Sequence, residues 1–194
     1  MDNIGLIKKL REETGVSISE CKKAIEEAKG DIEAAKEVLR KWGKTLAGKK
    51  SERKTSCGII EAYIHSDKKS GAMIELRCET DFVAKSDNFK NLARELCLQI
   101  TAMNPVYVRP EDIPVEVLEK EKEICRGQMK DLKKPAQIME SILEGKLKKF
   151  KDGVCLLSQS WIKDDAKNVK DLVDDYVAKI GENIIVKRFV RFEI

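Results

Sequence analysis

Cys57-Gly58-Ile59-Ile60-Glu61-Ala62-Tyr63-Ile64 and, after a polar stretch from His65 to Gly71, Ala72-Met73-Ile74-Glu75-Leu76-Arg77-Cys78 mark the place where the hydrophobic period changes to two. Ile60, Ala62 and Ile64 alternate with Ile59, Glu61 and Tyr63. Ala72, Ile74, Leu76 and Cys78 then alternate with Met73, Glu75 and Arg77. A period of two on both sides of a polar break reads as a β-hairpin with one face buried. An isolated hairpin is marginal in water, so a third strand is expected. The tail Ile184 to Ile194 supplies it, with Val186, Val190, Phe192 and Ile194 expected on one side. The fold class is therefore α+β, a small antiparallel sheet of about three strands covered by helices.

Upstream the period is helical. Ile4, Ile7 and Leu10 recur at helical spacing and Gly15 stops the pattern. Ser17-Ile18-Ser19-Glu20 has capping-box spacing, with Ile18, Cys21, Ile25 and Ala28 as the stripe behind it and Gly30 as the stop. Asp31 is the candidate N-cap of a third helix with Ile32, Ala35, Leu39 and Trp42 on one face. From Gly43 to Lys54 the pattern fades into a basic, Gly- and Ser-containing stretch, either a tether or an extension of the third helix.

Downstream, Phe89, Leu92, Leu96, Ile100 and Met103 predict a helix capped by Ser86 or Asp87 and broken at Asn104-Pro105. A charged helix follows Pro114, and another begins near Pro135 with Ile138, Ile142 and Leu143 inside. This pair is expected to project from the body. Val169, Leu172, Val173, Tyr176 and Ile180 mark a last helix stopped by Gly181. The expected division is a helical module over 1–50, including the start of the basic linker, and a core over 51–194. That core comprises the hairpin at 57–78, helices over 86–150, and a C-terminal helix and strand over 168–194.

Composition narrows the chemistry. The 194 residues carry 38 Lys and Arg against 34 Asp and Glu, a mixed surface of net charge +4 that does not by itself argue for nucleic acid. A single histidine, His65, excludes schemes and metal sites that need two imidazoles. The six cysteines include no C-x-x-C pair, and the start shows neither a secretory pattern nor an apolar run approaching the ~20 residues of a membrane span. A reduced, cytoplasmic protein without a bound cofactor or metal is expected, its cysteines mostly buried as small apolar groups.

No Gly-rich phosphate loop, nucleophile elbow or paired-His motif occurs. His65-Ser66-Asp67 reads as a turn, because triad partners must converge from different directions. Cys78 lies in the inward register of a strand, which favours an inert thiol. The segment Cys78-Glu79-Thr80-Asp81-Phe82-Val83-Ala84-Lys85-Ser86-Asp87 leaves the second strand and precedes a long helix. Read from its residues alone it is a connector in which Asp81 caps and Phe82 anchors to the core.

Its wording says more. Thr80-Asp81-Phe82-Val83-Ala84 resembles the signature segment of the translation elongation factor Ts family. Leu10-Arg11 with Thr14-Gly15, Cys21-Lys22-Lys23-Ala24 and Gly30 to Ala35 resemble the family's amino-terminal module. Glu144 to Phe150, Val177 to Ile184 and Arg191-Phe192-Glu193 resemble its core and its end. Together these stretches span nearly the whole chain in the family's order.

The resemblance implies a three-helix module similar to ubiquitin-associated domains and a guanine-nucleotide exchange activity toward GDP-bound elongation factor Tu, with no bond made or broken. It implies that Asp81 and Phe82 reach the partner's magnesium and phosphate site, Phe82 as a wedge and Asp81 as a polar perturbation, with Thr80 and Val83 shaping the turn. Leu10, Arg11, Lys22 and Lys23 are the candidate docking residues on the helical module. Longer family members carry two core subdomains, whereas one hairpin-and-helix unit stands here. A homodimer binding two elongation factor Tu molecules, joined through the core sheets, is therefore expected. Neither a membrane nor direct nucleic-acid contact is expected. The competing reading is a ribosome- or RNA-associated helical module using Lys41, Lys44, Lys49, Lys50, Arg53 and Lys54, although no aromatics interleave with that run.

Overall fold

A computed structural model describes residues 3–129 and 135–194. Three helices come first: α1 (Asn3–Thr14), α2 (Ile18–Glu27) and α3 (Ile32–Lys50). Their punctuation follows the sequence. Ser17 Oγ accepts the Glu20 N–H at 3.3 Å and donates to the Glu20 carboxylate at 2.8 Å, and Asp31 accepts from Glu33 and Ala34 N–H. Leu10, Cys21, Ala24, Ile25, Ala35 and Leu39 form a buried cluster. Ile18, expected in the α2 stripe, is exposed and Ala24 takes the inner position.

The basic stretch after Trp42 is helical as far as Lys50. Its small residues explain why it does not peel away as a tether. Gly43 lies so close to α8 (Val169–Ile180) that an added Cβ would stand 3.3 Å from Ala178 Cβ, and Ala47, one turn on, joins the main core. The third helix thus runs from one hydrophobic cluster into the other.

Strands β1 (Cys57–Ile64), β2 (Ser70–Cys78) and β5 (Ile184–Glu193) form an antiparallel sheet in the order β1-β2-β5. Its inner face presents Cys57, Ile59, Tyr63, Ala72, Ile74, Leu76, Cys78, Ile184 and Val186 to α5 (Asp87–Met103) and α8. Phe89, Leu92, Leu96, Cys97 and Ile100 supply the helical side of that core. Ser86 caps α5 through the Phe89 N–H, and Asn104 closes it in the left-handed conformation.

The tail departs from the expected register. Leu76 pairs with Val186 but Glu75 pairs with Arg188, so Lys187 is an extra residue on β5. One inserted residue exchanges the two faces of everything beyond it. Val186 therefore points into the core, whereas Val190, Phe192 and Ile194 lie on the outer side. Phe189 and Arg191 turn inward, Arg191 donating to the Thr101 carbonyl at 3.0 Å.

Helices α6 (Val115–Met129) and α7 (Ala136–Val154) pack on each other as a pair. At the base of α7, Val106 and Tyr107 N–H both donate to the Val154 carbonyl. The turn between the two helices lies outside the described residues. A feature with no strong signal in the sequence is a second, two-stranded sheet of β3 (Ser160–Trp161) and β4 (Asp164–Asn168) beside α8.

Candidate functional site

The segment after β2 is not an open connector. It is a five-residue helix, α4 (Asp81–Lys85), capped by Thr80 rather than by Asp81. Thr80 Oγ1 accepts the Val83 N–H at 3.4 Å, and the Thr80 carbonyl accepts the Ala84 N–H at 3.2 Å. The helix presents two faces. Ala84 is buried and Val83 packs against the main core, whereas Asp81, Phe82 and Lys85 face solvent. Phe82 is 82% exposed, so it anchors nothing.

Asp81 is paired with Lys85 on the next turn at 2.8 Å. The Lys85 ammonium holds the Asp81 carboxyl below its usual range, and Asp81 in turn raises Lys85. Both are exposed, so the pair sets a local charge pattern more than it stabilises the fold.

Polar groups from distant segments fix the entry to α4. The Thr80 N–H and Oγ1 donate to the two carboxylate oxygens of Glu182 at 3.0 and 2.7 Å. Beside them the Asn183 N–H donates to Glu79 Oε1 at 2.7 Å. The buried Asn183 amide also donates to the Ser51 and Arg53 carbonyls at 3.3 and 2.9 Å. Lys50 reaches the Gly181 carbonyl at 2.6 Å. Read as sequence, Gly181-Glu182-Asn183 announces only a helix stop, and nothing in it points to Thr80.

The amino-terminal candidates divide. Leu10 has 0% exposure inside the three-helix cluster, so it offers no contact surface of its own. Arg11, Lys22 and Lys23 are exposed, Lys22 lying 3.9 Å from Glu26. Of the cations in the basic stretch, Lys50 and Arg53 serve the clamp described above, Arg53 at 3.6 Å from Glu79. The Lys44 side chain lies outside the described residues.

The enzyme-like candidates resolve into structure. Asp67 accepts the Lys69 N–H within the hairpin turn, and His65 Nδ1 lies 3.1 Å from the Tyr63 hydroxyl. Burial pushes the Cys78 thiol up to about 11, and its S–H donates to the Thr80 carbonyl, so it is a poor nucleophile. Among the described residues no group of three or more His, Cys, Asp or Glu is placed to hold a metal, and no helix is long and apolar enough to cross a membrane.

The outer face of the sheet is a second unusual surface. Ile60, Ala62, Ile64, Met73, Val190 and Phe192 lie exposed on neighbouring strands, Phe192 at 71%. Gly71, between Ile64 and Phe192, leaves a groove lined almost wholly by apolar atoms. Next to this patch Glu75 bridges Arg77 and Arg188 at 2.6 and 2.7 Å, and the two guanidiniums lower its pKa.

Comparison with known proteins identifies the family. A family model described as Elongation factor TS matches residues 7–194. Elongation factor Ts of Thermotoga maritima is 56% identical over 192 residues, covering 99% of this chain and 96% of the relative. Elongation factor Ts of Carboxydothermus hydrogenoformans is 51% identical over 189 residues, covering 97% and 87%. That of Caldanaerobacter subterraneus is 50% identical over 187 residues, covering 96% and 94%. With similarity of this strength along nearly its whole length, the chain belongs to the elongation factor Ts family.

Proposed function

We propose that the protein is the guanine-nucleotide exchange factor of elongation factor Tu in translation elongation, and that α4 is the element that loosens the bound GDP. The observation that carries this reading is the exposure of Phe82 on a helix whose opposite side is fixed to the core. Burying a phenyl ring of this kind releases about 1.5–3 kcal/mol. Spent inside a partner, that energy displaces the elements around a magnesium site that demands near-ideal octahedral geometry. Asp81 brings a carboxylate to the same place, held by Lys85 until a stronger partner competes.

Exchange then follows from linkage. A factor that weakens nucleotide binding by some ratio is itself weakened by the same ratio when nucleotide binds, so incoming GTP expels it. No covalent step is involved. Arg11, Lys22 and Lys23 dock the amino-terminal helices, which resemble a ubiquitin-associated domain, on the partner, while Leu10 holds α1 and α2 together from within. The first test is GDP release from elongation factor Tu. Phe82→Ala is expected to slow release about ten- to a hundredfold at equal subsaturating concentration, and release at the wild-type rate would refute the wedge.

The outer sheet face supports the second part of the reading, a homodimer that binds two elongation factor Tu molecules. A twofold interface must be complementary to itself. The apolar groove around Gly71, with Phe192 and Ile64 beside it, offers such a surface, and Glu75 offsets one of the two neighbouring guanidiniums, Arg77 and Arg188. Light scattering is expected to give twice the chain mass, and Phe192→Lys to give the monomer. A monomeric wild-type protein at working concentration would refute the dimer.

A further inference from the structure

A five-residue helix cannot hold its own direction. Nucleating a single turn is unfavourable, and little intrahelical bonding repays it. Yet the orientation of α4 decides where Phe82 points. Two residues before Phe82, the Thr80 N–H and hydroxyl are both held by one carboxylate, that of Glu182, at 3.0 and 2.7 Å. The partners are 102 residues apart in the chain.

The geometry makes this contact more than a generic tie. By accepting the proton of Thr80 Oγ1, Glu182 turns a lone pair of that oxygen toward the Val83 N–H, the bond that caps α4. One oxygen of the carboxylate therefore orients the cap, and the other fixes the backbone immediately before it. Charge-assisted hydrogen bonds of this kind are shorter and stronger than neutral ones.

Glu182 is itself well placed. It follows Gly181, whose φ of +86° ends α8 in a conformation that favours glycine, and it precedes Asn183, which is buried and bonded to Glu79, Ser51 and Arg53. Residues 79 and 80 on one side and 182 and 183 on the other thus form two adjacent polar links between the β2–α4 and α8–β5 junctions. The apolar contacts of Val83 and Ala84 seat α4 on the core, Ser86 ties its end through the Val83 carbonyl, and the carboxylate adds two charge-assisted bonds at its start.

We infer that Glu182 is a positioning residue for nucleotide exchange, acting through Thr80 to aim Phe82 and Asp81. This rests on the reading that α4 performs the exchange. It goes beyond that reading by assigning the rate of the wedge to a residue outside α4, 102 positions along the chain from the residue it holds. A misaligned α4 leaves the other docking surfaces intact, so the factor still binds but inserts Phe82 less often. The loss belongs in the maximal rate and not in the half-saturating concentration. A misplacement of about 1 Å is enough to cost up to about a hundredfold in a geometry-dependent step.

The test uses the full chain and elongation factor Tu loaded with labelled GDP. Wild type, Glu182→Gln, Glu182→Ala, Thr80→Val, the Thr80→Val/Glu182→Ala double variant and Phe82→Ala are titrated to saturation, with thermal midpoints measured alongside. Glu182→Ala is expected to lower the maximal release rate about tenfold or more, with the half-saturating concentration within about twofold of wild type. Glu182→Gln falls between, because an amide offers one acceptor oxygen where the carboxylate offers two. The double variant is expected to be no slower than the slower single one, since both remove the same link.

Wild-type maximal rates in both Glu182 variants, with Phe82→Ala slow, would overturn the role of Glu182 and leave that of α4 standing. Losses that appear only in half-saturation, or only in step with a fall in thermal midpoint, would make Glu182 structural and overturn the inference. Wild-type release by Phe82→Ala would overturn the exchange reading and this inference together. Should Glu182→Ala not fold, Glu182→Gln decides alone.

Discussion

Phe82 and Phe89 sit on consecutive helices, separated by the single cap residue Ser86, and have opposite fates. Phe89 is fully buried on a helix of 17 residues whose direction is fixed by its packing against the sheet. Phe82 is almost fully exposed on a helix of five, which packs on the core through Val83 and Ala84 and whose cap residue Thr80 is hydrogen-bonded to Glu182, far along the chain. Packing positions the first ring and, in doing so, consumes its apolar surface. The second rides on a helix held by its other face and by the Thr80–Glu182 hydrogen bonds, which leave the surface of the ring free.

The sharpest way to break this comparison is the crossed pair of truncations. Phe89→Ala should cost about 3–5 kcal/mol of stability through the cavity it leaves, read as a large fall in thermal midpoint. Phe82→Ala should shift stability by no more than about 0.5 kcal/mol while slowing GDP release at least about tenfold. If both variants lost stability equally, the two rings would not differ as their surroundings indicate.

A second difference is chemical. The core that holds Phe89 also buries two thiols whose ionisation burial suppresses, Cys97, pushed up to about 12, and Cys78, to about 11; Cys155, buried at the end of α7, is likewise pushed up to about 11. Above the ordinary thiol range, near pH 8.5, the unfolded chain releases these protons before the folded one does. The stability they contribute is complete below that range and is lost as pH rises toward the folded values. Unfolding by denaturant should therefore become markedly easier between about pH 9 and 11. Alkylation of Cys78, Cys97 and Cys155 in the native protein should be slow at pH 8. Rapid modification of Cys97 under native conditions would contradict the packing.

A smaller effect is expected where the two helices meet. Ser86 caps α5 through the Phe89 N–H and donates to the Val83 carbonyl of α4. Ser86→Ala should cost about 1 kcal/mol, measured by denaturant titration. The smallest stability effect belongs to Lys85→Ala. It frees a solvated Asp81, whose carboxyl pKa should rise toward its ordinary value by NMR titration, with no resolvable change in thermal midpoint.

The same contrast explains what was legible in the sequence. The α5 stripe Phe89, Leu92, Leu96 and Ile100 is a local repeat, and it reads correctly except for its last member, the exposed Met103. The caps Ser17, Asp31 and Ser86 act over two or three residues and are equally plain. At α4 the segment was visible through its wording, but its physical reading was not. Thr80, not Asp81, is the cap, and Phe82 leaves the core instead of entering it. Neither Glu182 nor Asn183 carried a signal toward Thr80, because hydrogen bonds between distant turns leave no periodic trace.

By itself the sequence determined the order and kind of the main elements: three helices, the second and third with plain caps, a hairpin, a run of helices and a closing strand. These rest on interactions within a few residues, and a single chain displays them openly. Tertiary structure decided the rest. It chose Ile59, Glu61 and Tyr63 over Ile60, Ala62 and Ile64 as the inner side of β1, an alternative that alternation alone leaves balanced. It placed the bulge at Lys187 that turned Val190 and Phe192 outward, and it laid the end of α3 onto α8. It also brought Glu182 to Thr80. Register and long-range pairing depend on how whole surfaces fit once distant segments meet, and that fit is a property of the folded assembly of elements, not of any stretch of residues.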